Sequence, residues 1–252
     1  MAESLASVLA ARPFSCALSS GFFGFFAHTG FVRALFEAGL RPRRFSGSSA
    51  GALVSAVIAS GTSPLELWEE LEGIERKDFW DPGLGLGLLR GELFRKRIHR
   101  MLREKTFEAC PVPVAISVFD LGRMRTEVIG RGDLSFAVRA SCSFPFLLQP
   151  ARRGGRMFID GGVKDRPGLA GLPAGEPVLF HHLVSSSPWR PQSAPSAQIP
   201  QREDMRALAL AGLPRSGPHK LAAGKRAMHL AYEATKRALD LPASDTRVVD
   251  AS

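Results

Sequence analysis

"RRFSGSSAGALVSAVIASG", residues 43–61, reads as a short strand, a tight turn and a buried helix. "RRFSG" (43–47) is extended, and "SAGALVSAVIASG" (49–61) is a helix of small and apolar residues, too apolar for a surface. Between them "GSSAG" (47–51) fits G-x-S-x-G, with Ser49 at its centre and Gly47 and Gly51 on either side. The chemistry behind that spacing is a sharp strand-to-helix turn that thrusts the serine hydroxyl out at a helix N-terminus. There the helix dipole and free N–H groups favour developing negative charge. Ser49 is therefore the candidate nucleophile.

Working outward, "PFSCALSS" (13–20) reads as a buried strand ended by Gly21. From Thr29 the pattern is helical, with Phe31, Val32, Leu35 and Phe36 on one face and Gly39 as the stop. Ser63-Pro64-Leu65-Glu66 forms a capping box opening a helix to about residue 74. "DPGLGLGLLRG" (81–91) reads as a loop, and its glycines are misplaced for a dinucleotide fingerprint. A basic helix is expected over 91–104, strands over 112–120 and 125–130, and a helix over 134–143. Strands follow at 156–160 and 176–184, then an irregular stretch over 185–218 whose first part is rich in Ser and Pro. An amphipathic helix closes the chain at 219–240. Strands alternating with helices predict one three-layer α/β domain over residues 1–252, with its core in 13–184.

Composition narrows the function. The 252 residues are 45% hydrophobic and 23% charged, a globular balance. Cys16, Cys110 and Cys142 are far apart, match no metal-ligand spacing and fit a reducing compartment. The net charge of +9 is spread along the chain without a basic block or zinc-finger spacing, which argues against nucleic acid as a partner. Residues 13–32 carry no charged side chain, but serines, glycines and His28 interrupt every apolar run. Neither a transmembrane helix nor a signal peptide is expected, and the location expected is cytoplasmic.

A serine nucleophile needs a base and an oxyanion hole. The residues leave two bases open. His181 and His182 lie in a stretch read as a strand, with His219 and His229 beyond it. Asp160 in "FIDGG" (158–162) ends a buried strand, where burial would raise its pKa and improve it as a base.

The order strand, glycine loop, "HTG" helix, GxSxG and "DGG" resembles the patatin-like phospholipase family. "AVRASCSFPFLLQP" (137–150) is similar to that family's Ala-Ser-x-x-x-Pro helix end, and "FIDGGVKDRP" (158–167) to its Asp-Gly-Gly turn at Gly161 and Gly162. The resemblance covers most of residues 15–184. It implies a three-layer α/β/α sandwich with a mostly parallel central sheet and a Ser49–Asp160 dyad without histidine. It further implies hydrolysis of lipid or other acyl esters through an acyl-enzyme, with no metal or organic cofactor. The family's glycine-rich oxyanion loop corresponds to "SGFFGF" (20–25), where two glycines survive and the usual basic residue is absent. The expected donors are backbone amides at Gly21, Phe22, Phe23 and Gly24, with that of Ala50. Some of the phenylalanines are expected to line an acyl pocket or touch lipid. Arg152, Arg153 and Arg156 could steer the protein to an anionic membrane surface, or simply be solvated. Two rivals stay open: a Ser-His-Asp esterase, and a lipid-binding or scaffolding protein whose oxyanion loop has lost its function.

Overall fold

The computed structural model describes residues 3–184 and 199–251, and among these it holds seven α-helices and eleven strands. The first half runs α1 (Leu5–Ala11), β1 (Ser15–Leu18), α2 (Phe25–Glu37), β2 (Arg44–Ser48), α3 (Ala50–Ala59) and α4 (Pro64–Glu72). Next come β3 (Gly87–Leu89), α5 (Glu92–Met101), β4 (Val114–Asp120), β5 (Arg125–Ile129) and α6 (Leu134–Ser141). Three short strands follow, β6 (Phe146–Leu148), β7 (Ala151–Arg153) and β8 (Arg156–Asp160). The chain closes with β9 (Val178–Leu183), β10 (Met205–Ala211), α7 (Leu221–Asp240) and β11 (Thr246–Asp250).

Six strands lie side by side in the order β11-β10-β9-β1-β2-β4, all parallel. β5 and β8 add to β4 in antiparallel sense, and β7 adds to β8. β3 and β6 form a separate parallel pair. Every residue of β1 and β4 is buried, as expected of parallel strands covered on both faces. One face presents Cys16, Leu18, Phe45, Ile116, Leu179 and Leu208 to a core that takes in residues from all seven helices. On the other face Ala17, Phe180 and Ala207 pack with Leu169 and Leu172. The α/β class and the mostly parallel sheet are as expected.

The pairing along β4 places the site. β5 occupies one side of β4 over Ile116–Asp120, so β2 and β8 must share the other. Ser48 of β2 pairs with Ser117, and Asp160 of β8 pairs with the next residue, Val118. The C-terminal ends of β2 and β8 therefore meet head to head, which brings Ser49 and Asp160 together from opposite directions.

Several local expectations hold. The capping box is complete: Ser63 Oγ accepts from Glu66 N at 3.2 Å, and Glu66 Oε2 accepts from Ser63 N at 2.7 Å. Others are corrected. α2 begins at Phe25 rather than Thr29, because the Gly21–Gly24 turn is tight enough for the helix to start at once. Phe26 is fully buried in the core. β3 lies within the stretch expected to be a loop, and α1 and β11 were not anticipated. The stretch 185–218 is not irregular throughout, since β10 sits inside it between β9 and β11. "MRALALA" is built of good helix formers, and pairing on both sides overrides that preference. The Ser/Pro-rich residues 185–198 lie outside the described residues. No helix among the described residues is long and apolar enough to cross a membrane.

Candidate active site

Ser49 sits between β2 and α3 at φ 52°, ψ −119°, a conformation that costs a non-glycine residue energy and that the surroundings must impose. The neighbouring glycines allow it sterically. A Cβ on Gly47 would lie 2.5 Å from the Gly51 carbonyl, and one on Gly51 would lie 2.1 Å from the Leu18 carbonyl oxygen. The turn can close only because both are bare. Ser49 N–H donates to Ser141 Oγ at 2.8 Å, and that hydroxyl donates to the Ser117 carbonyl at 2.7 Å. Ser141 thus ties the turn to β4 and to the end of α6. Ser141→Ala is expected to cost about 1–3 kcal/mol in denaturant unfolding, because it removes the partner of the part-buried Ser49 N–H and of the buried Ser117 carbonyl.

The Ser49 hydroxyl donates to Asp160 Oδ2 at 2.6 Å. Asp160 Oδ1 accepts the Gly162 N–H at 2.8 Å, and the Asp160 N–H donates to the Ser143 carbonyl at 3.0 Å. A Cβ on Gly161 would lie 2.1 Å from the Ser117 carbonyl oxygen, so the turn after Asp160 is pressed against β4. Burial pushes the Asp160 carboxyl up to about 6, against the opposing pull of the Ser49 hydroxyl and the Gly162 N–H. A carboxylate of that basicity, bonded to a serine hydroxyl at a helix N-terminus, can take the hydroxyl proton near neutral pH.

The histidines are engaged elsewhere. His28 Nε2 lies 2.7 Å from the Ser19 carbonyl and must donate to it, so His28 Nδ1 accepts from His181 Nδ1 at 2.8 Å. His181 also stacks on Phe31. Burial lowers the pKa of both rings, that of His28 to about 3. The pair braces the chain just before the glycine loop. His219 lies against Arg76 and Trp80, and His229 meets Glu72.

The glycine loop contributes less than expected at one position. The Gly24 N–H is spent on the Gly21 carbonyl at 2.9 Å and closes the turn. The N–H groups of Gly21, Phe22 and Phe23 meet no acceptor among the described residues. Ala50 is the first residue of α3, where an N–H has no partner within the helix. Gly21, Phe22, Phe23 and Ala50 line one cavity of about 570 Å³ with Ser49 and Asp160. Its remaining wall is mostly apolar, including Phe25, Phe79, Phe94, Phe144, Leu147 and Leu148. The size suits a chain-like apolar group.

Arg156 is not available for steering. Its Nε donates to Asp120 Oδ2 and its Nη1 to Glu127 Oε1, both at 2.9 Å. Arg153 stacks over Phe136, and Arg152 is exposed. No cluster of three or more His, Cys, Asp or Glu side chains among the described residues could hold a metal ion.

Sequence reasoning did not single out Ser141, Ser117 or Ser143. The signal for Ser141 was present in "AVRASCSFP", where it is the serine of the Ala-Ser-x-x-x-Pro pattern.

Comparison with known proteins bears on the family and the fold. The family description "Patatin-like phospholipase" matches residues 16–172. An uncharacterized NTE family protein of Mycobacterium tuberculosis is 31% identical over 153 residues, covering 59% of this chain and 42% of that protein. A second from the same organism is 29% identical over 174 residues, covering 68% of this chain and 29% of that one. The chain thus spans less than half the length of these relatives. Among solved structures, VipD from Legionella pneumophila has a TM-score of 0.65 at 15% identity, covering 90% of this chain and 67% of that one. At that identity the likeness speaks for the fold.

Proposed function

Because the chain belongs to the patatin-like phospholipase family, we propose that it is a serine lipid acyl hydrolase working through Ser49 and Asp160. The observation that carries this reading is the 2.6 Å hydrogen bond between Ser49 Oγ and Asp160 in the apolar cavity. Ser49 Oγ attacks the ester carbonyl carbon while Asp160 accepts its proton. The carbonyl oxygen becomes an oxyanion held by the N–H groups of Gly21, Phe22 and Ala50, with Phe23 beside them. The tetrahedral intermediate collapses, the C–O bond to the alcohol breaks, and Asp160 returns the proton to the leaving oxygen. Water then attacks the acyl-enzyme with Asp160 again as base, releasing the carboxylic acid and restoring Ser49. The apolar wall holds the acyl chain.

The test is labelling with a fluorophosphonate, which reacts with an activated serine. Wild type is expected to label, and Ser49→Ala and Asp160→Asn are not. Label retained in Ser49→Ala, or absent from folded wild type, defeats the reading. Replacing both His181 and His182 must leave labelling in whatever fraction folds, since neither is assigned the base. The pH profile is a second check. A base works only when ionised, so kcat/KM is expected to rise through pH of about 6 and to level above it.

A further inference from the structure

We propose that the β3–β6 flap and the rim beside it form a docking face for an anionic phospholipid surface. The inference deepens the proposed function, and rests on it for the identity of what leaves the membrane. Leu84, Leu86 and Leu88 project from the loop and strand before α5, and Leu84 is fully exposed at 102%. Phe146, opposite Gly87 in the paired strand, is 87% exposed. Phe144 and Phe22, also exposed, meet at 5.7 Å between ring centres and join this flap to the glycine loop. Phe22, Phe144 and Phe146 line the cavity that holds Ser49, so the apolar patch reaches that cavity.

Such a patch costs free energy in water and returns nothing within the chain. The backbone adds to the cost. Phe146 is held at φ 67°, and the ring so placed points outward rather than into the core. Gln149 holds the flap in place, its Nε2 donating to the Leu84 carbonyl at 2.9 Å and its N–H to the Leu89 carbonyl at 2.9 Å. The leucines are therefore presented on a braced loop.

Charge selects the occupant. Arg90 lies against Gly83 at the base of the flap, and Lys164 follows the rim residue Val163; both are exposed. The acid of the flap, Asp81, is turned inward and accepts the N–H groups of Gly91, Glu92 and Leu93. In a chain of net charge +9, the exposed cations Arg90 and Lys164 thus stand beside this apolar projection. A second copy would bring like charges face to face. An anionic lipid surface satisfies both, taking the leucines into its acyl layer and the cations at its headgroups.

The experiment is flotation with vesicles of phosphatidylcholine containing about one third phosphatidylglycerol. Ser49→Ala serves as the parent, so that turnover cannot alter the vesicles. The parent is expected to float, and adding Leu84→Ser and Leu86→Ser is expected to weaken vesicle affinity about tenfold or more. Both leucines lie outside the cavity, so the same pair in the Ser49 background should keep its melting temperature and its rate on a short, water-soluble ester. Flotation unchanged by the leucine pair overturns the proposal, as does a parent that never floats. Binding that vanishes in high salt and ignores the leucines also overturns it. So does a concentration-dependent dimer that the leucine pair dissolves, because a second copy is then the occupant. Failure of fluorophosphonate labelling with flotation intact would defeat the proposed hydrolase and leave the docking face standing.

Discussion

Asp160→Asn is expected to reduce kcat for ester hydrolysis by about 10⁴-fold while making the folded protein more stable at pH 8. The loss follows from replacing the proposed base, bonded to Ser49 Oγ, with an amide that cannot take its proton. The gain follows from proton linkage. The folded carboxyl titrates at about 6, above its ordinary value of 3.8. Between those two values the folded state holds more protons than the unfolded one, so stability falls as pH rises through that window. At pH 8 the full penalty of a buried charge is present, up to about 3 kcal/mol for a displacement of this size. An amide carries no such penalty. Well below pH 3.8 the carboxyl is neutral in both states, and the advantage of the variant disappears. Ser49→Ala separates the two effects. It is expected to abolish turnover as well, but it deprives the carboxylate of a hydrogen bond and so is expected to lower stability at pH 8. Denaturant titrations of the three proteins at about pH 3 and about pH 8 check the pattern. Two inactive variants that move together in stability would contradict it.

Gly51→Ala is expected to cost about 3 kcal/mol and to lower the melting temperature by about 6–12 °C. Alanine is the best helix former and would help at an ordinary helical position. Here the added methyl would meet the Leu18 carbonyl oxygen at 2.1 Å and its carbon at 2.5 Å. Both belong to β1, which is hydrogen-bonded on both sides in the middle of the sheet, so neither can retreat. α3 must lift away from the strand, and Ser49 at its N-terminus moves with it. Gly39→Ala is the contrasting case. Gly39 has φ 75° with nothing within 4 Å of where the new methyl would stand, so only the left-handed backbone is penalised, at about 1–2 kcal/mol. Equal losses at the two positions would mean that close approach does not limit the elbow.

The elbow and the strands beside it were legible because each part announces itself locally. Glycines bracket Ser49, an apolar helix follows, and Ser63 with Glu66 caps the next one. Asp160 was legible through its two glycines and the buried strand before it. What escaped depends on contacts between distant segments. β10 is a strand because β9 and β11 flank it, while its own residues favour helix. The loss of Gly24 as a donor depends on how one turn closes, and the spacing of glycines does not encode that. The ion-paired state of Arg156 required Asp120 and Glu127 from two other strands. Ser141 stood in the sequence as the serine of an Ala-Ser-x-x-x-Pro pattern, and only its bonds to Ser49 and Ser117 gave it a role in the turn.

The head-to-head meeting of β2 and β8 along β4 has a kinetic consequence. The segment from β1 to α3 is local and can condense early, with Ser49 already in its turn. Its partner Asp160 is 111 residues away and arrives only when β8 docks on β4. Until then Ser49 lacks the base proposed for it. During refolding, helical signal and compactness should return before the capacity to react with a fluorophosphonate. The same holds for a chain emerging during synthesis, which cannot attack esters before the strand carrying Asp160 has been made and docked.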